Sequence, residues 1–160
     1  MRLMIAAIGR LKADGERELV ARYAERIDGL GRAHALGPLK ITEIAESRAA
    51  SAAERKTEEA AALLKATAER GKLVALDERG KPMTSRAFAD LMRRERDAGT
   101  PELAFVIGGP DGHGEALLAR APIKLSLSAM TLPHALARAV LAEQIYRAVT
   151  ILAGHPYHRD

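Results

Sequence analysis

A glycine-rich segment of the chain has the composition needed to bind a small molecule through its backbone. Residues 108–114 read Gly-Gly-Pro-Asp-Gly-His-Gly and follow an apolar run at 103–107. Glycine lets backbone N–H and C=O groups approach a ligand closely, because it has no side chain to keep them apart. The spacing matches neither a Walker loop nor a dinucleotide fingerprint, which argues against ATP and NAD. A plain turn between a strand and a helix is the alternative, and composition alone favours it.

The C-terminal segment contains the densest cluster of groups able to move a proton or bind phosphate. Tyr157 and His158 can exchange protons, and Arg159 can bind an anion. Residues 155–160, which include these three, are mostly polar and follow a helix stop. A solvated tail that adds nothing to the core is therefore the alternative. The histidines show no zinc-ligand spacing and the chain has no cysteine, so no metal site is expected.

Composition indicates one globular domain spanning residues 1–160. The chain is 48% hydrophobic and 29% charged, with a net charge of +4, which is compatible with a nucleic-acid partner but does not require one. Aromatic residues are only 3%, which disfavours recognition by base stacking. No apolar run reaches the roughly 20 residues of a membrane span, and the N-terminus does not form a secretory signal. We therefore expect no membrane partner and a cytoplasmic protein.

Apolar periodicity predicts strands and helices in alternation. Strands are expected at 1–9, 39–45, 72–76, 103–107 and 123–127, and helices at 14–27, 54–70, 85–98, 115–120 and 133–153. Glycines are expected to break the chain at Gly29 and Gly31, and Gly71 is expected to end the second helix in a left-handed conformation. Residues 78–82 are expected to form a turn. The alternation predicts an α/β domain with a mainly parallel sheet and helices on both faces.

Three loops of this predicted sheet are candidates for a binding site. They follow Leu76, Ile107 and Leu127. Ligands of parallel sheets bind beyond the carboxyl ends of the strands. If the three strands are neighbours, the loops converge on one pocket.

The last helix is apolar around more than one face, so it lies either in the core or in a subunit interface. Its polar exceptions are His134, Arg138, Glu143, Gln144 and Arg147. The spacing of Glu143 and Arg147 allows them to pair. Burial of these polar residues against a partner chain and a solvated strip are both compatible with the spacing.

Several segments together resemble one protein family. Residues 105–112 read Phe-Val-Ile-Gly-Gly-Pro-Asp-Gly, residues 125–134 read Leu-Ser-Leu-Ser-Ala-Met-Thr-Leu-Pro-His, and the ending 156–159 reads Pro-Tyr-His-Arg. The pattern is completed by four further segments, at residues 7–12, 74–77, 80–81 and 143–148. In combination they resemble the SPOUT-class methyltransferases that act on N3 of a pseudouridine in large-subunit ribosomal RNA. The resemblance spans the chain, although 33–70 carries no recognisable motif.

The resemblance implies an α/β fold with a C-terminal trefoil knot, a homodimer and S-adenosylmethionine as cofactor. The implied cofactor contacts are the three loop positions and the run that follows the last strand: Leu76, Gly108, Leu127, Ser128, Ala129, Met130, Thr131 and Leu132.

The implied substrate is a pseudouridine of 23S ribosomal RNA within the assembled ribosome, and DNA is not implied. His158 and Tyr157 are the expected proton-transfer residues, and Arg159 is expected to hold phosphate or a uracil oxygen. His134 and Arg147 fit a structural role equally well, and His155 is given no role. Two alternatives stay open: a SPOUT enzyme acting on a ribose or a transfer RNA base, and a non-enzymatic ribosome assembly factor.

Overall fold

The computed structural model describes residues 1–159 as five strands and five α-helices. In chain order they are β1 (Arg2–Ile8), α1 (Gly15–Gly31), β2 (Leu39–Ile44), α2 (Ala52–Ala66), β3 (Lys72–Pro82), α3 (Ser85–Asp97), β4 (Glu102–Ile107), α4 (Glu115–Arg120), β5 (Ile123–Ser126) and α5 (His134–Leu152), with a 3-10 helix at Arg32–His34 after α1. No helix within residues 1–159 is both long and apolar enough to cross a membrane.

The five strands form one sheet in the order β2-β1-β4-β3-β5, and every neighbouring pair is parallel. Parallel strands need crossover connections, which the helices supply. The predicted mainly parallel sheet is confirmed. Strands β4, β3 and β5 are consecutive in the sheet, so the three loops selected from the sequence leave it at adjacent positions.

Side chains of β1 alternate between two apolar cores. Leu3, Ile5 and Ala7 join the core that α1, α3 and α5 cover, whereas Met4, Ala6 and Ile8 join the core that α2 and α4 cover. Successive residues of a strand point to opposite faces, and a strand buried on both faces is apolar throughout. The predicted placement of helices on both faces is confirmed.

Helix α5 is central to the larger core. It packs against α1 and α3, and residues such as Leu141, Ile145 and Val149 are fully buried in its own chain. The core position that the sequence allows for this helix is therefore observed. Arg138 is also buried inside its own chain, where its guanidinium pairs with Glu43 at 2.9 Å, so it is neither solvated nor dependent on a partner.

The first helix is longer than the sequence predicts. It continues through Gly29 and ends at Gly31, and the chain reverses afterwards at Ala35 and Gly37, which both have positive φ. A Cβ on Gly31 would lie 2.4 Å from the carbonyl oxygen of Leu36, so this glycine permits close packing rather than breaking the helix.

The second helix is displaced from its predicted bounds. Ser51 caps it with a reciprocal hydrogen-bonded pair to Glu54, which satisfies the first free amides, and the helix ends at Ala66. Gly71 does not adopt a left-handed conformation, contrary to the prediction. Its N–H donates to the carbonyl of Ala68 at 2.9 Å instead.

The predicted turn at 78–82 is wrong, because these residues extend β3. Leu76 and Lys81 both align with Leu125 of β5, so residues 77–80 form a bulge between two stretches of pairing. A Cβ on Gly80 would lie 2.7 Å from the backbone of Lys124 and Leu125. Glycine at this position lets the bulge rest directly on β5.

Candidate ligand-binding site at the carboxyl edge of the sheet

A cavity of about 610 Å³ lies beyond the carboxyl ends of β4, β3 and β5. Its walls come from residues 76–79, 107–113, 125–128 and 130–132, with further contributions from α2, α4 and the start of α5. The predicted convergence of the loops after Leu76, Ile107 and Leu127 is confirmed. The volume is in the range of small-molecule pockets, about 300–1,000 Å³.

The glycine-rich segment forms a tight turn that also lines the cavity. The N–H of Gly112 donates to the carbonyl of Gly109 at 2.9 Å, and Gly112 has a φ of +85°. Pro110 occupies the second position of the turn, where its fixed φ is favourable. The turn and ligand-site interpretations of this segment are therefore compatible.

His113 connects this turn to the neighbouring strand. Its Nε2 lies 2.8 Å from the carbonyl oxygen of Leu76. Burial lowers the pKa of His113, because the charged imidazolium would lack the water that solvates it at the surface. The neutral ring, protonated on Nε2, can donate this hydrogen bond to Leu76.

The segment after β5 offers unpaired backbone groups to a ligand. Ser128 shapes it, since its hydroxyl accepts from the N–H of Met130 at 2.9 Å and its carbonyl accepts from the hydroxyl of Ser126, also at 2.9 Å. Within residues 1–159, the backbones of Thr131 and Leu132 form no hydrogen bond with another residue. These amides and carbonyls are available for recognition of a heterocycle.

The structure places seven of the eight predicted cofactor contacts in the cavity wall. They are Leu76, Gly108, Leu127, Ser128, Met130, Thr131 and Leu132. Ala129 is exposed and does not line the cavity. The Met130 side chain is 79% exposed.

Other cavity residues were not predicted from the sequence, and Lys56 of α2 is the most distant of them along the chain. It lies in the stretch without a motif, and only the pairing of α2 with the glycine-rich loop brings it to the site. Glu78 and Arg79 were not selected because residues 78–82 were predicted to be a turn, and Asp77, just before that turn, was not selected either. Their position directly after Leu76, at the end of a predicted strand, was the signal available.

The C-terminal residues lie away from this cavity, because none of 155–159 contributes to its wall. Tyr157 packs against Tyr146 of α5, with ring centroids 4.8 Å apart, and its hydroxyl donates to Glu143 at 3.1 Å. The alternative of a solvated tail that adds nothing to the core is therefore wrong for Tyr157, which is partly buried against the core.

A small polar network surrounds Tyr157. Arg147 donates from Nε to Glu143 at 2.9 Å, which confirms the pairing predicted from their spacing, and its Nη1 lies 3.4 Å from Nδ1 of His158. Burial, followed by hydrogen bonds with Tyr23 and Glu143, raises the pKa of Tyr157. The phenol thus stays protonated near neutral pH and serves as a hydrogen-bond donor here.

No group of three histidine, aspartate or glutamate side chains within residues 1–159 is arranged to hold a metal ion. The cavity wall instead combines apolar side chains, glycine backbone and both signs of charge. Such a wall suits an organic ligand that has a heterocycle and a charged part.

Comparison with known proteins gives full-length matches. A family model described as "Predicted SPOUT methyltransferase" matches residues 1–158. A protein of Xanthobacter autotrophicus named "Ribosomal RNA large subunit methyltransferase H" is 53% identical over 99% of both chains. Proteins with the same name from Rhodopseudomonas palustris and Methylobacterium nodulans are 55% and 50% identical and cover 99% of this chain, and 99% and 98% of their own lengths.

Among solved structures, a SpoU methyltransferase, AviRb from Streptomyces viridochromogenes in complex with the cofactor AdoMet, aligns with a TM-score of 0.44 and 15% identity. The alignment covers 96% of this chain, which spans only 61% of that longer protein.

Proposed function

The chain belongs to the SPOUT methyltransferase family, and from this premise we propose that it transfers a methyl group from S-adenosylmethionine to N3 of a pseudouridine in 23S ribosomal RNA. The observation that carries the proposal is full-length identity of 50–55% to proteins named for large-subunit ribosomal RNA methylation. The cavity adds support, because its walls are built from the segments that carry the family resemblance.

The cavity suits S-adenosylmethionine in size and in wall chemistry. Leu76, Leu127 and Leu132 provide apolar surface for the adenosine, and Gly108 leaves the backbone accessible. The unpaired backbone of Thr131 and Leu132 can hydrogen-bond the edge of the adenine. When bound, the cofactor supplies a methyl group already activated by its sulfonium.

The residues of the chain must then remove a proton. N3 of the pseudouridine carries a weakly acidic proton, which has to leave before or during methyl transfer. We assign the acceptor role to His158 and the stabilisation of a uracil oxygen or a neighbouring phosphate to Arg159. Tyr157, whose protonated hydroxyl donates to Glu143, is assigned to orienting the tail.

A second copy of the chain is needed for this arrangement. The residues assigned to proton removal do not line the cavity of their own chain. We therefore propose a homodimer in which the tail of one subunit reaches the cavity of the other. The exposed apolar residues Met130, which lines the cavity, and Leu136, at the start of α5, support an interface there.

Two further parts of the proposal concern topology and context. The bulge at residues 77–80, which lies on the backbone of β5, is compatible with the threaded C-terminal segment that the family resemblance implies. The assembled ribosome, and therefore the cytoplasm, is the proposed place of action.

The decisive experiment uses ribosomes from a strain that lacks the gene. The purified protein and S-adenosylmethionine are added to these ribosomes, and digested 23S RNA is analysed by mass spectrometry. We expect one added methyl group on a pseudouridine base. A methylated ribose or transfer RNA would replace the assigned substrate, and cofactor binding without methylation of any RNA would leave only a binding protein.

Mixing two inactive subunits tests the composite site. A chain truncated after Gly154 lacks the tail, whereas Gly108→Val distorts the cavity. In a mixed dimer, one site pairs an intact cavity with an intact tail if the tail acts across the interface. We expect the mixture to recover activity that neither variant has alone. No recovery, despite heterodimers seen by native mass spectrometry, rejects the shared site.

A further inference from the structure

Helix α2 packs closely against the back of the glycine-rich loop. A Cβ on Gly114 would lie 2.5 Å from the carbonyl oxygen of Lys56, and a Cβ on Gly109 would lie 2.6 Å from Oε2 of Glu59. Two glycines of the loop therefore accommodate one helix. Residues 107–113 line the cavity, and so does Lys56 of α2, so α2 supports a wall of the site.

Arg55 of α2 joins three segments of the chain. Its Nε and Nη2 donate to the two carboxylate oxygens of Asp111, at 2.7 and 3.2 Å. Its Nη1 donates to the carbonyls of Ala49 and Ala50, at 3.1 and 3.2 Å. A bidentate arginine–carboxylate pair fixes orientation as well as distance.

Asp111 is the third residue of the turn from Gly109 to Gly112, and it lines the cavity. The hydrogen bond from Arg55 holds the pKa of Asp111 below its usual value, so the carboxylate stays charged and paired. Arg55 thus fixes the conformation of the turn at Asp111.

Glu59 lies one turn further along α2, and it is 5% exposed. Its Oε1 accepts from the N–H of Ser47 at 3.0 Å, whereas Oε2 has no hydrogen-bond partner within the described part of the chain. A buried carboxylate without full pairing is unfavourable for folding. Its carboxylate packs directly against Gly109, so a contribution to the loop conformation can offset this cost.

We propose that Arg55 and Glu59 are positioning residues that hold the glycine-rich loop in the conformation that binds the methyl donor. The inference rests on the proposed function. Neither side chain is among those that line the cavity. Arg55 acts through Asp111, whose carboxylate it holds in a bidentate pair. Glu59 acts through Gly109, against which its carboxylate packs.

Ordinary helix packing is the competing explanation, and it predicts a different result. If α2 only contributes to stability, substitutions of these residues lower the melting temperature without a selective effect on cofactor affinity. A positioning role predicts weaker cofactor binding in variants that remain fully folded at the assay temperature.

The test is isothermal titration of the full-length protein with S-adenosylmethionine. Arg55→Ala and Glu59→Ala should weaken binding about three- to thirtyfold, a range found for residues that act on a site without touching the ligand. Arg93→Ala is the matched control, because Arg93 forms a similar pair with Asp90 at 3.0 Å on the exposed face of α3, away from the cavity. It should bind like the wild type.

Conservative variants and kinetics separate positioning from general damage. Glu59→Gln keeps the shape behind Gly109 and should bind nearly like the wild type. Arg55→Lys keeps the charge but loses the bidentate geometry, so it should be intermediate. In methylation assays, Arg55→Ala should raise the KM for the cofactor and leave kcat at saturation nearly unchanged.

The outcomes are distinguishable. If the wild type does not bind S-adenosylmethionine, the proposed function fails. If the wild type binds and folded Arg55→Ala and Glu59→Ala bind equally well, the positioning role is overturned while the proposed function stands. If an alanine variant does not fold, the conservative variants are compared with the wild type and with Arg93→Ala instead. Equal cofactor affinity in Arg55→Lys rejects the role of Arg55. A large loss of affinity in Glu59→Gln rejects support of the loop by the shape of this side chain.

Discussion

The Nε2 of His113 lies 2.8 Å from the carbonyl oxygen of Leu76, so one side chain joins the loop after β4 to the end of β3. Nδ1 of the same ring is buried without a partner among residues 1–159. Protonation would therefore create a second N–H with no acceptor. The hydrogen bond and the lowered pKa both favour the neutral ring at this wall of the cavity.

The first prediction concerns the pH dependence of stability at His113. Burial lowers its folded-state pKa below the ordinary value of 6.5. The unfolded chain then binds more protons below about pH 6.5, so the contribution of His113 is complete above that pH and is lost as the pH falls towards the folded-state value. We expect the melting temperature of the wild type to fall more steeply below pH 6.5 than that of His113→Gln. Parallel curves for the two proteins would show that His113 does not contribute.

The second prediction concerns Gly108. A Cβ there would lie 3.1 Å from the backbone of Gly112 and from Nδ1 of His113, so Gly108→Val pushes the turn out of shape. We expect a loss of about 1–3 kcal/mol in unfolding free energy, as for other overpacked sites, and a loss of cofactor binding measured by calorimetry.

Gly29→Ala is the control for Gly108→Val, because a Cβ on Gly29 of α1 would meet no atom within 4 Å. It should stabilise the protein by about 0.5–1 kcal/mol and leave binding unchanged. Wild-type affinity in Gly108→Val would place the cofactor elsewhere.

The third prediction concerns the contact of Gly80 with β5. A Cβ placed 2.7 Å from the backbone of Lys124 and Leu125 forces the bulge away from the strand. Gly80→Ala should lower the unfolding free energy by about 1–3 kcal/mol in urea titrations. Because Leu125 and Leu127 line the cavity, cofactor affinity should fall as well.

Gly15→Ala, at the open start of α1, serves as the control for Gly80→Ala, since a Cβ there would meet nothing within 4 Å. An alanine at position 80 that changes neither stability nor affinity would contradict the close contact.

The fourth prediction separates the residues of the tail. His158→Ala should slow methylation about 10²–10⁴-fold if His158 takes the proton, with little change in melting temperature. Tyr157→Phe removes the hydroxyl that donates to Glu143 and should lower the unfolding free energy by about 1 kcal/mol.

The readouts for the tail are initial methylation rates on ribosomes and thermal unfolding of the same preparations. Truncation after Gly154 should reduce stability more than Tyr157→Phe, since the ring contact with Tyr146 is lost too. A small kinetic effect of His158→Ala would reduce its role to positioning, and a truncated chain as stable as the wild type would show that Tyr157 does not contribute to the core.

The order of elements and the position of the cavity could be predicted from the sequence, because both follow from local patterns. Apolar runs ending at Leu76 and Ile107 mark strands, and the carboxyl edge of a parallel sheet is where their loops meet. The extension of β3 to Pro82 could not be predicted, because Gly80 and Pro82 are residue types typical of turns. Pairing of Lys81 with Leu125, far away in sequence, overrides that preference.

Contacts between distant residues account for the rest of what the sequence did not reveal. Nothing near Arg55 in the sequence indicates that it will meet Asp111. The position of Tyr157 was missed for a different reason. A short polar ending suggests solvent, but one aromatic ring is enough to fix it on a helix that has a matching surface.

The order in which the cavity residues occur along the chain has a consequence for protein synthesis. Apart from Lys56, all of them fall between Leu76 and Ala137. The sheet is also completed late in synthesis, because β4, the fourth strand along the chain, lies between β1 and β3. A nascent chain is made from its N-terminus. Strand β1 therefore cannot pair with β4 until residue 107 has been synthesised. Ligand binding is therefore acquired only after residue 137 has been synthesised, and a product interrupted before that residue carries apolar strand faces but no complete pocket.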